Sequence, residues 1–144
     1  MTARRLALLA ILPVALAAAG CGGGADRESP PPAVIEHVKG TSAERVRLTA
    51  EAARRIGIRT AAVKRVGSGA EVVIPYTALL YDPNGRTWTY TNPAPLVFQR
   101  KNIQVKSIDG NLVLLTSGPQ AGTKVVTEGA TEIWGVEYGG IKED

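Results

Sequence analysis

Cysteine, histidine and methionine occur once each in this 144-residue chain, as Cys21, His37 and Met1. A lone cysteine closes no intramolecular disulfide. With a single imidazole beside it, no soft-ligand set for zinc or copper can assemble. His37 follows Pro30-Pro31-Pro32 in a polar stretch and reads as a solvated linker side chain, out of reach of any Ser-His-Asp arrangement. Aromatic residues are 5% of the chain, and the net charge of +4 falls to +2 without Arg4 and Arg5. No basic run alternates with aromatics, so a nucleic-acid partner is not expected.

Phosphate-binding and nucleophile motifs are missing too. Gly67, Gly69, Gly139 and Gly140 lack the Gly-Lys-Ser/Thr ending of a phosphate loop, and there is no nucleophile elbow. Asp82 and Asp109 each begin a turn, where a carboxylate capping its own backbone accounts for them. The residues therefore predict no enzyme, no catalytic side chain, no metal and no cofactor.

What is present begins with a three-part leader. Arg4 and Arg5 form a short positive segment, the kind retained on the cytoplasmic side of a membrane. An apolar run of 14 residues follows, 6–19, with Pro13 in its middle. That falls short of the ~20 residues a spanning helix needs. Small residues then precede Cys21, which fits a cleaved export signal over 1–20 better than a permanent span. Ala18-Ala19-Gly20-Cys21 resembles the lipobox of bacterial lipoproteins, although Ala18 stands where Leu is favoured. That resemblance implies cleavage before Cys21, lipid on its sulfur, and attachment to the extracytoplasmic face of the cell membrane. The competing reading is an ordinary signal with an exposed free thiol, a reactive liability.

Residues 21–43 read as a tether. Gly22-Gly23-Gly24 is flexible and Pro30-Pro31-Pro32 is extended and stiff. Val34, Ile35 and Val38 supply at most a brief edge strand. From Glu44 the pattern becomes that of a folded body over 44–139, followed by a polar tail, 140–144. Val46-Arg47-Leu48 alternates as a half-buried strand does. Thr49 fits a helix N-cap, with Glu51 in the first turn, Arg54 and Arg55 in the last, and Gly57 closing. Runs from 58, 72, 87, 96, 103, 112 and 124 read as strands separated by turns such as Asp82-Pro83-Asn84-Gly85 and Asp109-Gly110-Asn111. Thr87-Trp88-Thr89-Tyr90-Thr91 alternates strictly, placing the rings on one face and the threonines on the other. The prediction is a mainly β, small antiparallel barrel-like or sandwich-like domain with one short helix.

Two blocks carry a family resemblance. The first is residues 46–63. The second is residues 73–81 together with 118–130, where Gly118, Gly122, Val125, Val126, Gly129 and Ala130 make a G-x-x-x-G-x-x-V-V-x-x-G-A pattern. Both resemble the periplasmic adaptor subunits of RND-type efflux pumps, the membrane-fusion-protein family, and residues 132–139 look like the tail after the second block. In that family the first block opens the β-barrel region and the second forms the membrane-proximal domain. Between them family members carry a helical hairpin and a lipoyl-like domain. This chain instead passes from Val66 to Val72 through a few glycine-rich residues, so it resembles a truncated adaptor.

The resemblance implies a lipid-anchored, non-enzymatic accessory or scaffold for an efflux transporter. Trp88, Tyr90 and Trp134 are the candidate partner-binding anchors, since rigid aromatics dominate interface hot spots. Aromatics at strand spacing also serve as core or cross-strand pairs. The alternative function is a stand-alone envelope lipoprotein that binds a small ligand between sheet and helix.

Overall fold

In the computed structural model the described residues are 30–39 and 44–139. The leader, Cys21 and the tail at 140–144 lie outside them. Among the described residues eleven strands and two α-helices follow one another: β1 Ala33–His37, β2 Glu44–Leu48, α1 Ala50–Ile56, β3 Arg59–Ala62, β4 Lys64–Arg65, β5 Val72–Pro75 and β6 Leu80–Tyr81 come first. Then come β7 Thr87–Ala94, β8 Val97–Asn102, β9 Gln104–Asp109, β10 Leu112–Ser117, β11 Lys124–Glu128 and α2 Ala130–Gly139. The protein is mainly β. A seven-stranded sheet has the order β1-β2-β8-β7-β11-β3, with β6 also on β7, and a four-stranded sheet has the order β4-β5-β10-β9. Each strand pair is antiparallel.

Two segments pass from one sheet to the other without a loop. β3 runs into β4 through Val63, and β8 runs into β9 through Ile103, both side chains being buried. Val63 N–H donates to the Thr123 carbonyl and Ile103 N–H to the Thr87 carbonyl, at 2.8 and 3.1 Å. Such corners let two sheets pack at a large angle around one core.

The large sheet is covered on both faces. Trp88, Tyr90, Phe98 and Val126 point toward α1 and α2, where Ala53 and Ile133 complete one apolar cluster. Val125, next to Val126 on β11, points the other way and joins Ile74, Val113 and Leu115 of the small sheet. This is why Thr89 and Thr91 are buried together with Trp88 and Tyr90. The alternation in 87–91 does separate two faces, but neither faces water along that stretch.

The brief edge strand expected before Glu44 is built into the body, and one stretch departs from the sequence expectation. β1 lies inside the stretch read as tether and pairs with β2 from Ala33↔Leu48 to His37↔Glu44. Ala33 is buried in the cluster beneath α1 and α2, so the described body begins there and not at Glu44. Residues 132–139, read as the tail after the second block, fall in the second helix, α2. Its sequence contains Gly135 and lacks basic residues in its last turn, so local propensity gives it little support. Burial of Ala130 and Ile133 against the sheet supplies the stabilisation instead.

Candidate functional site

The expected anchors do come together, but under α2. Trp88 and Tyr90 stand on one face of β7, and Arg100 is the cross-strand partner of Tyr90 on β8. From above, α2 contributes Trp134, Glu137 and Tyr138, spaced so that all three lie on one side of the helix. The rings stand edge to face in series. Tyr90–Trp88, Trp88–Trp134 and Trp134–Tyr138 centroids are 5.1, 5.3 and 5.7 Å apart, with interplanar angles of 80–86°. This is the arrangement ring quadrupoles favour.

Charge is threaded through the rings. The Arg100 guanidinium lies 5.3 Å from the Trp88 ring centroid and 5.0 Å from that of Tyr138. It donates to the Tyr138 hydroxyl and lies 3.4 Å from the Glu137 carboxylate. The Tyr90 hydroxyl donates to the other carboxylate oxygen of Glu137. Burial first, and then the hydrogen bond and charge of Glu137, push the Tyr90 phenol far above its ordinary value. Burial acts to lower the Arg100 guanidinium, but the Tyr138 and Glu137 contacts outweigh it and the net direction is upward. Both groups therefore hold one protonation state, and neither is poised for proton transfer. The cluster is a pin between helix and sheet.

Its burial corrects the assignment of the anchors. Trp88 and Tyr90 are 1% and 0% exposed, so neither ring offers a surface to a partner, and Trp134 is half-buried. What solvent meets there is Tyr138, 60% exposed, with part of Arg100 beneath it. Arg100 and Glu137 went unrecognised in the sequence as members of the cluster. The signal that would have exposed Glu137 is the helical i, i+3, i+4 spacing of Trp134, Glu137 and Tyr138, whereas Arg100 on β8 joins them only through strand pairing. The indole N–H groups of Trp88 and Trp134 are buried without a hydrogen-bond partner.

A second feature lies on the same side of the large sheet, beside α1. The turn joining β7 to β8 is Pro95-Leu96, and Leu96 has φ 61°, a left-handed conformation unusual for leucine. Its carbonyl accepts from Leu48 N–H at 2.9 Å, which ties the hairpin tip to the residue before the Thr49 cap. Between this tip and α1 opens a cleft of about 410 Å³, lined by Ala50, Ala53, Ile58, Leu96 and Phe98, with Arg54, Thr60 and Asn92 as its polar side chains.

Among the described residues no three His, Cys, Asp or Glu side chains converge to hold a metal ion. Among the same residues no helix is long and apolar enough to cross a membrane. Cys21, the expected lipidation site, lies outside the described residues. No protein-family model, curated protein or solved structure matches the chain.

Proposed function

We propose that this chain is a lipid-anchored, non-enzymatic envelope protein acting as an accessory or scaffold for a membrane transporter, in the manner of a shortened efflux-pump adaptor. The observation that carries the reading is the placement of the only cysteine, directly after a 14-residue apolar run and small residues, and before three glycines. Two or more acyl chains are needed for stable attachment, and the lipoprotein-type modification of Cys21 supplies them. The two adaptor-like blocks give the reading its transporter partner. Their residues fall on β2 to β3, on β5 and β6, and from the loop after β10 through β11 to the first residue of α2. With Trp88 and Tyr90 buried, partner contact falls to exposed apolar side chains such as Tyr138, Tyr76 and Leu112.

The test has two arms. Cys21→Ser should yield an uncleaved or unlipidated precursor that leaves the detergent phase, and mass spectrometry of the mature wild-type terminus should find acyl chains on Cys21. Crosslinking followed by affinity purification should recover a polytopic transporter. A bare thiol at the terminus would overturn the anchor, and recovery of no membrane protein would overturn the accessory role.

A further inference from the structure

We infer that the cleft between α1 and the β7–β8 tip binds a free long-chain carboxylate, with its hydrocarbon along Ala53, Ile58, Leu96 and Phe98 and its head beside Arg54. The inference stands apart from the accessory role and does not depend on the anchor. At about 410 Å³ the cleft lies within the usual size range of small-molecule sites, and its wall is apolar with few polar groups, as such sites are.

The charge of the occupant follows from what lines the rim. Arg54 is the cleft's one charged side chain, and no acidic residue lines it. The Arg54 Nε makes only a long contact, 3.4 Å, to the Ala50 carbonyl, and among the described residues Arg54 has no ion pair. Its neighbour Arg55 is paired with Glu51, and Arg59 with Glu128. A planar guanidinium at the mouth of an apolar trough matches a carboxylate with a hydrocarbon tail. A cationic amphiphile would be repelled there, and a neutral one would gain nothing from the solvated Arg54 guanidinium. Asn92 adds no donor, because its amide group already donates to the Ala94 and Val97 carbonyls at 2.7 and 2.9 Å.

The walls are preformed. The Leu48 to Leu96 hydrogen bond fixes the hairpin tip against the start of α1, and Thr49 and Gly57 cap the helix at its two ends. The trough therefore needs no rearrangement to accept a chain.

The test uses a diazirine-bearing dodecanoic acid with the purified full chain, followed by peptide mapping. Label should concentrate on residues 50–60 and 92–98. Unlabelled dodecanoate should compete roughly tenfold or more better than decanoate, since each buried methylene is worth about a factor of four. Ala50→Trp, at an exposed position on the cleft rim, should cut labelling about tenfold. Arg54→Gln should weaken the acid probe by a similar factor and leave a probe with an alcohol head unchanged. Label spread evenly along the chain, or undiminished in Ala50→Trp, would overturn the site. Equal labelling by acid and alcohol probes, unaffected by Arg54→Gln, would overturn the carboxylate.

Discussion

At the scale of single residues, the contact between Tyr90 and Glu137 joins α2 to the sheet through one proton. The carboxylate, 5% exposed at its side chain, accepts from Tyr90 and faces Arg100. Glu137→Gln should destabilise the fold by about 2 kcal/mol, read as a lower urea midpoint, because Arg100 is left without its counter-charge. Tyr90→Phe removes the buried hydroxyl and should cost about 1–2 kcal/mol near neutral pH. The two variants differ in alkali. The Tyr90 phenol is raised above its ordinary value of 10.0, so above that pH the unfolded chain releases a proton that the folded chain keeps. Stability contributed by this group is complete below pH 10 and declines as pH rises, by about 1.4 kcal/mol per unit. Urea unfolding between pH 9 and 11 should show that decline in the difference between wild type and Tyr90→Phe, which isolates this one group.

Asp82 shows the opposite sign on the surface. Partial desolvation acts to raise its carboxyl, but hydrogen bonds from the Arg86 backbone and side chain and from Asn84 N–H overcome it and hold it below its ordinary value of 3.8. Its support for the Asp82–Gly85 turn is complete above that value and is lost as acid protonates it. Asp82→Ala should accelerate amide exchange at Asn84 and Arg86, whose N–H groups both lie 2.9 Å from its carboxylate.

At the scale of elements, α1 was legible and α2 was not, and the reason is where each helix gets its support. Thr49 accepts from Ala52 N–H at 3.1 Å, and Gly57 at φ 76° takes the left-handed position after the last turn. Those are local instructions, readable in order along the chain. Thr49→Ala should cost about 1 kcal/mol in thermal or denaturant unfolding. α2 is instructed from a distance, through Ile133 in the core and Glu137 on Tyr90. Its entry is tight as well. A Cβ on Gly129, at φ 84°, would lie 2.5 Å from Ile58 Cδ1 and 2.7 Å from Ile56 Cγ2. Gly129→Ala should therefore lower stability by about 2 kcal/mol and loosen α2 first, seen as faster amide exchange over residues 130–139.

The strands repeat the same division. Turns at Asp82-Pro83-Asn84-Gly85 and Asp109-Gly110-Asn111 set the hairpin positions, and the alternation from Thr87 to Thr91 correctly separated rings from hydroxyls. That Thr89 would be buried as deeply as Trp88 depends on the second sheet folding over it, a contact between residues far apart in sequence. The aromatic set of the site was likewise legible as a set. Its inaccessibility was not, because the lid is the helix that the local sequence understates.

At the scale of the whole molecule, the two corner residues Val63 and Ile103 make one body of two sheets, and β1 completes one edge of it. Val34 and Ile35 marked β1 as a brief edge strand, but the proline-rich approach set it in the tether and not in the body. Its place in the body rests on only a few side chains, chiefly Ala33 facing the core and the Glu36–Arg47 pair at 2.7 Å on the outside. Ala33→Asp would bury a charge beside Val46 and Leu48. It should cost about 2–4 kcal/mol in denaturant unfolding and speed amide exchange along β2.

Under the anchoring proposed for Cys21, the position of β1 would also limit how far such a body could roam. From Cys21 to Ala33 there are twelve residues, against twenty-three to Glu44. At about 3.5 Å per residue the leash is at most ~40 Å, where a body starting at Glu44 would have had ~80 Å. With the proposed lipid on Cys21, the first strand would halve the tether's share of the reach, and a transporter would have to present its contact that much nearer the bilayer.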